Sequence, residues 1–283
     1  NNGLNYSARF TLADSRTKIT RYSNPSGLID GFYAGKYVGE IWGYETIGIA
    51  QSDQEMAEHI GRLINGGQSN LGQDWKAGDI MYKDLNEDGK IDAGSHTLQD
   101  HGDLKRIGNS TPRYNVGLEL AADWKGFDIR MFWQGTLKRD YFQGSYYFWG
   151  ANGRQGPWFS TALKGHDDYF RNDEASPLGT NLNSYYPRPL FNTDKNQQSQ
   201  TKYLQDASYL RLKNLQIGYS LPHNIVQKMG MQHLRIFASG ENLFTITSLI
   251  DFFDPESIEG GSWGHGNVYP LSRTFSFGLN VTF

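Results

Sequence analysis

The end of the chain constrains the fold most. From Thr274 onward the odd positions Phe275, Phe277, Leu279 and Val281 are apolar and the last residue is Phe283; the even positions are Thr274, Ser276, Gly278, Asn280 and Thr282. Successive side chains of an extended backbone point to opposite sides, so this alternation makes a strand with one apolar and one polar face. The beginning repeats the pattern, with Leu4, Tyr6, Ala8, Phe10 and Leu12 against Asn5, Ser7, Arg9 and Thr11.

Mid-chain, Val116, Leu118, Leu120, Ala122 and Trp124 alternate with polar or small residues. Lys125-Gly126 offers a tight turn, and Phe127, Ile129, Met131 and Trp133 alternate on the way back. This is a β-hairpin signature. In Tyr209–Ser220 the phase flips, from Leu210 and Leu212 to Leu215, Ile217 and Tyr219. One extra residue near Lys213-Asn214 explains the slip as a β-bulge. Seven strands are therefore expected, near residues 4–12, 16–22, 115–124, 127–134, 209–220, 234–245 and 274–283. The segment 16–22 carries the weakest pattern. One helix is expected over Ser52–Leu63, where Ser52 and Glu55 form a capping box.

The connectors between these strands alternate in length. Residues 13–15, 125–126 and 221–233 are short links, while 23–114, 135–207 and 246–273 are long. A soluble sandwich has no reason to keep its long loops at one end. A transmembrane β-barrel does, because its turns are short on the periplasmic side and its loops long outside. The strand lengths also match the ~9–11 residues that a tilted spanning strand needs. With a periplasmic C-terminus, seven strands put the start of the Leu4 strand outside, together with every long loop.

Composition narrows the alternatives. Aromatic residues make up 14% of 283 residues, and 27 Lys and Arg stand against 30 Asp and Glu. A disordered chain would be poor in aromatics. A charge of -3 gives no electrostatic reason to expect a nucleic acid partner. No apolar run approaches the ~20 residues of a spanning helix. The absence of cysteine removes disulfides, thiolate metal sites and cysteine nucleophiles. No secretory leader is visible at the start of the sequence.

The wording of several segments adds to their periodicity. Tyr37–Thr46 with the Gln51-Ser52-Asp53 helix start, Gly78–Asp92, Ile107–Tyr114, Gly126-Phe127-Asp128, Tyr209–Asn214 and Ser239–Phe244 through Asp254-Pro255-Glu256 to Phe283 together resemble the SusC/RagA family of TonB-linked outer-membrane proteins. They follow the family's order along nearly the whole chain, and they match its C-terminal part. The resemblance implies an all-β fold, the C-terminal segment of a large transmembrane barrel. It implies nutrient import of oligosaccharides or peptides in the outer membrane, with no enzymatic step. Its implied partners are the remainder of the barrel with its plug, a SusD-like lipoprotein lid, the TonB complex and outer-membrane lipid. Barrels of this class have ~22 strands around a plugged lumen, so seven cannot close one, and the remaining strands and plug are expected elsewhere. The resemblance also implies that Phe283 belongs to the signal read by the barrel-assembly machinery.

Two groups of candidate site residues stand out. Asp84, Asn86, Asp88, Lys90 (through its carbonyl) and Asp92 follow the spacing of a calcium loop, with Gly89 at the sharp turn. Ser95 occupies the twelfth position, where an EF-hand has a bidentate Glu; an Asn/Asp/Gly turn capping its own backbone is the competing reading. Tyr146, Tyr147, Trp149, Trp158, Tyr185, Tyr186 and Trp263 lie in the long loops, where they would stack on sugar rings or peptide side chains, or else pack on one another.

The seven histidines show no metal spacing, and no nucleophile elbow or phosphate loop occurs. The acid pairs Asp251/Asp254 and Asp167/Asp168 admit a glycosidase reading, with solvated loop charges as the simpler one. The main rival to a barrel is a soluble, calcium-stabilised β domain that binds glycans at the cell surface.

Overall fold

A computed structural model describes residues 3–151, 158, 160, 162–258 and 271–283. In chain order the strands are β1 (Asn5–Ala13), β2 (Glu40–Tyr44), β3 (Thr46–Ile49), β4 (Ile80–Tyr82), β5 (Leu104–Asn109), β6 (Arg113–Trp124), β7 (Phe127–Lys138), β8 (Asp140–Phe142), β9 (Leu204–Asp206), β10 (Tyr209–Ser220), β11 (His233–Thr247) and β12 (Thr274–Thr282). The helices are α1 (Asp53–Arg62), α2 (Tyr146–Trp149) and α3 (His223–Val226). None is long and apolar enough to cross a membrane.

Six long strands form one antiparallel sheet in the order β1-β6-β7-β10-β11-β12. Its register lines up like residues across the whole sheet. Phe277 lies opposite Ala238, then Ile217, Ile129, Ala122 and Tyr6, an apolar row. One residue along, Ser276 lies opposite Ser239, then Gln216, Arg130, Ala121 and Ser7, on the other face. The apolar face is uncovered: Tyr6 is 81% and Phe277 83% exposed. Each buried Å² of such surface contributes about 25 cal/mol, and patches beyond a few hundred Å² on a protein mark an interaction surface. A face of this breadth is solvated by lipid or covered by protein.

The residues 16–22 are not a strand of this sheet. Their backbone is tied to the following loop instead, with the Val38 N–H donating to Thr17 O (3.0 Å) and the Ile19 N–H to Lys36 O (2.8 Å). Ile19 is their only aliphatic residue, so the segment has no alternating apolar face to lay on the sheet. β1 consequently pairs with β6 directly, from Asn5 opposite Asp123 to Ala13 opposite Asn115. With six strands, β1 starts at the end that carries the Lys125-Gly126 turn, opposite to the end a seven-strand count assigns it. The three long connectors still leave from one end.

Local chemistry explains the details. Lys125 (φ 49°) and Gly126 (φ 88°) both take the left-handed conformation that a two-residue hairpin demands. The ladder of β10 slips between Leu212 and Asn214 against both neighbours, and Asn242 in β11 takes φ 53° beside it. Helix α1 starts where Ser52 Oγ accepts the Glu55 N–H (3.1 Å), while Glu55 reaches back to the Gln51 N–H (2.7 Å).

The three long connectors build a second layer at one end of the sheet. Its short ladders pair β2 with β5, β3 with β4 and β8 with β9. Tyr44, Tyr82, Tyr141, Phe148, Tyr203 and Phe253 are buried together in its core. Their positions show that all three connectors contribute to it.

Candidate functional site

The loop body is the place where this chain presents folded surface beyond the end of its long strands. At its centre Tyr203 is fully buried. Trp149 meets it edge-on at 4.7 Å between centroids, Tyr185 edge-on at 5.4 Å, and Tyr186 lies parallel at 6.2 Å. Edge-to-face packing satisfies the ring quadrupoles. The Tyr203 hydroxyl donates to Tyr185 O (2.9 Å), and burial raises its pKa.

Of the aromatic candidates, Trp149 and Tyr186 are therefore core residues of the loop body, sealed from solvent by their neighbours. Tyr185 is half-buried and its hydroxyl accepts from Gln205 Nε2 (2.7 Å). Tyr147 is half-buried, and Trp158 is 85% exposed. The Tyr146 side chain and Trp263 lie outside the described residues. Phe283 follows β12 and is exposed.

His166 organises the α2 turn. Its Nδ1 accepts the Leu163 N–H (2.9 Å), which leaves Nε2 as the donor to Tyr147 O (3.0 Å) and Phe148 O (3.1 Å). Burial lowers its pKa, against the opposing pull of the two carbonyls.

The strongest polar feature joins two connectors far apart in sequence. Asp79, fully buried before β4, receives Arg188 through two hydrogen bonds of 2.7 Å each. Lys195 Nζ lies 2.9 Å from the same carboxylate, and Asn196 Nδ2 and the Lys76 N–H each donate at 2.9 Å. Burial alone would raise the Asp79 pKa; Arg188, Asn196 and Lys195 outweigh it and hold the carboxyl below its usual value. Lys195 also donates to Gln73 O (2.8 Å) and Asp74 O (2.9 Å). Sequence patterns could not show this cluster, because Asp79 lies more than a hundred positions from Arg188, Lys195 and Asn196.

A second clasp ties the last connector to the sheet. Arg211 on β10 donates to Asp254 and to Glu256, both at 2.7 Å, and Lys213 pairs with Glu256 at 2.9 Å. Asp254 thus anchors a loop. Asp168 accepts from Asn181 Nδ2 (2.8 Å), a turn-holding bond.

The Asp84–Asp92 loop begins as its spacing suggests. Asp84 Oδ2 accepts the Gly89 N–H (2.8 Å), and Oδ1 is buried without a partner. That orphaned oxygen suits the first ligand position of a calcium loop. The other groups are engaged: Asp88 Oδ1 accepts the Lys90 N–H (3.1 Å), Asp92 Oδ1 accepts the Gly94 N–H (2.8 Å), and Asn86 Nδ2 turns to Asp88 Oδ2 (3.1 Å). The Lys90 ammonium lies 2.6 Å from Asp92 and 3.7 Å from Asp88, where it supplies positive charge to the loop. Behind the loop, Asp103 is fully buried and holds the Leu85 and Asp92 N–H groups at 2.6 and 2.9 Å; burial raises its pKa. Among the described residues, no three His, Asp or Glu side chains converge on a metal position. Of the Asp84, Asp88 and Asp92 carboxylates, the orphaned Asp84 oxygen is the one open donor, and Asp88 and Asp92 do not suit a divalent ion while Lys90 lies between them.

A sheet with an unbroken apolar face, a polar face and all long connectors at one end is a stretch of transmembrane β-barrel wall. No profile of a known protein family matches the chain. It is 30% identical over 258 residues to TonB-dependent receptor P3 of Formosa agariphila, a match covering 88% of this chain and 22% of that protein. It is 26% identical over 225 residues to TonB-dependent receptor P26 of the same organism, covering 73% of this chain and 20% of that one. The chain thus spans about a fifth of the length of these relatives. Among solved structures, the RagAB peptide transporter is similar over the whole chain and 28% of its own, with a TM-score of 0.67 and 21% identity. The chain belongs to the TonB-dependent receptors.

Proposed function

We propose that this chain forms part of the wall and external cap of an outer-membrane importer that takes up peptides or oligosaccharides together with a SusD-like surface lipoprotein. The six-strand sheet crosses the outer membrane with its Phe277–Tyr6 row in lipid and its Ser276–Ser7 row toward the lumen, and the C-terminus lies on the periplasmic side. The loop body caps the outer mouth, where Tyr147, Tyr185 and Trp158 keep exposed surface for a ligand or lid. Energy reaches the pore through the TonB complex and a plug carried by other parts of the protein. The mechanism is gated passage without covalent chemistry, in keeping with relatives that are receptors.

The observation that carries this reading is the register itself, which sorts apolar and polar residues onto opposite faces across all six strands. The named function of the RagAB transporter, peptide transport, supports a peptide as one substrate class. The test is uptake of labelled peptides and oligosaccharides by cells carrying or lacking the full-length protein, with and without TonB. Loss of one substrate's uptake in both knockouts is expected; unchanged uptake of both classes overturns the reading. The soluble glycan-binding alternative predicts a detergent-free monomer, whereas the exposed apolar face predicts fractionation with the outer membrane.

A further inference from the structure

The segment 16–22, which leaves the sheet, carries an unusual charge pattern. Arg16, Lys18 and Arg21 fall within six residues, and each is exposed. None has an ion-pair partner among the described residues. The neighbouring acid, Asp14, is taken by Arg113, which donates to both of its oxygens. Arg16 stacks its guanidinium on the Tyr37 ring at 3.4 Å, with Lys18 5.4 Å from the same ring. Stacking fixes the plane of a guanidinium and leaves its N–H edge free to donate to an oxyanion.

Position gives this cluster its meaning. Ala13 ends β1, so Arg16 lies within about 10 Å of the strand end at ~3.3 Å per residue. Directly below, Tyr6, Phe10 and Leu12 expose the apolar face. Beside Arg21, Tyr22 and Phe32 pack edge-on at 5.5 Å, and both are half-exposed. Amphipathic aromatics collect at the level where a bilayer's tails give way to headgroups. Apolar stripe, unpaired cations and exposed aromatic pair therefore follow one another in the chain as it leaves the outer end of β1.

We propose that Arg16, Lys18 and Arg21, with Tyr37 as a stacking platform, form a binding site for the phosphate groups of an anionic glycolipid in the outer leaflet. The site holds the external rim of β1 at the headgroup level. It rests on the outer-membrane placement proposed above.

Native mass spectrometry of the full-length transporter tests the site, with bisphosphorylated lipid A and the same lipid after phosphatase treatment as probes. The native protein is expected to retain the bisphosphorylated lipid and lose the dephosphorylated one. The combined Arg16→Gln, Lys18→Gln, Arg21→Gln variant should bind it roughly a hundredfold more weakly, since each cation near an anionic lipid surface adds about a fivefold factor. All three positions are exposed, and membrane fractionation of the variant reports on placement independently. A variant in the outer membrane with undiminished lipid binding overturns the site and leaves the placement intact. Equal retention of both lipids by the native protein does the same. Loss of lipoprotein capture with lipid binding unchanged assigns the cations to the lid and overturns the proposal. Absence of the native protein from the outer membrane defeats the placement itself.

Discussion

Asp128 and Arg235 form a two-bond ion pair, at 2.6 and 2.8 Å, although a whole strand separates them. Asp128 is on β7 and Arg235 on β11, and between them on β10 lies Gly218. A Cβ at Gly218 would collide with the Arg235 guanidinium and the Asp128 carboxylate. The glycine is a gap through which two strands reach each other on the polar face. Gly218→Ala should displace the pair and destabilise the barrel by about 1–3 kcal/mol, the range for inserting atoms into filled space. Denaturant unfolding of the full-length protein measures this, and an unchanged midpoint contradicts it.

The Asp79 cluster makes a prediction about coupling. Asp79→Asn leaves Arg188 and buried Lys195 without their counter-charge, and breaking a buried pair from one side costs about 3–5 kcal/mol. Residues 74–82 and 186–197 belong to different connectors, yet their amide hydrogen exchange should accelerate together. Acceleration confined to one of them would show that the carboxylate does not join the two.

Acid should loosen the α2 turn through His166. In the folded chain Nδ1 is occupied by the Leu163 N–H, and burial depresses the pKa. In the unfolded chain the imidazole takes a proton near pH ~6.5. The unfolded state then binds more protons, so the His166 contribution is intact above about pH 6.5 and declines as the pH falls from there through the folded pKa. Exchange protection of residues 145–149 against pH should show this decline, and His166→Gln should flatten it.

The Asp84 loop sets an ammonium against a divalent ion. Lys90 holds Asp92 and approaches Asp88, so Lys90→Met frees both carboxylates and keeps the backbone carbonyl. Thermal stability of the variant should become calcium-dependent, with millimolar calcium raising its melting temperature above the value in chelator and the native protein responding less. Identical curves with calcium and chelator in the variant would exclude a site there.

The sheet was legible because its signal is local and repeated. Each of β1, β6, β7 and β12 alternates by itself, and the flip within Tyr209–Ser220 marks the bulge without any knowledge of its neighbours. The helix start was readable from Ser52 and Glu55 for the same reason. Residues 16–22 misled because a stretch that follows a turn at 13–15 suggests a returning strand even where its alternation is weak and no apolar face exists to hold it in a sheet. The loop body was opaque. Its ladders, such as β4 and β9, are three residues long, too short for any period to show. Tyr186, fully packed, and Trp158, fully exposed, are alike as letters in an aromatic-rich loop. Which of them faces outward depends on Tyr203 and Phe148, brought close only by the fold.

With the loop body outside, as proposed above, the joining of distant connectors by Asp79, Arg188 and Lys195 also determines how the cell surface displays this protein. An antibody approaching from outside meets residues from several connectors on one firm relief. Its epitope is discontinuous, and a synthetic peptide copied from either connector alone lacks half of the shape. Immunogens meant to raise surface-reactive sera against this cap need the connectors folded on each other, with the clasp intact.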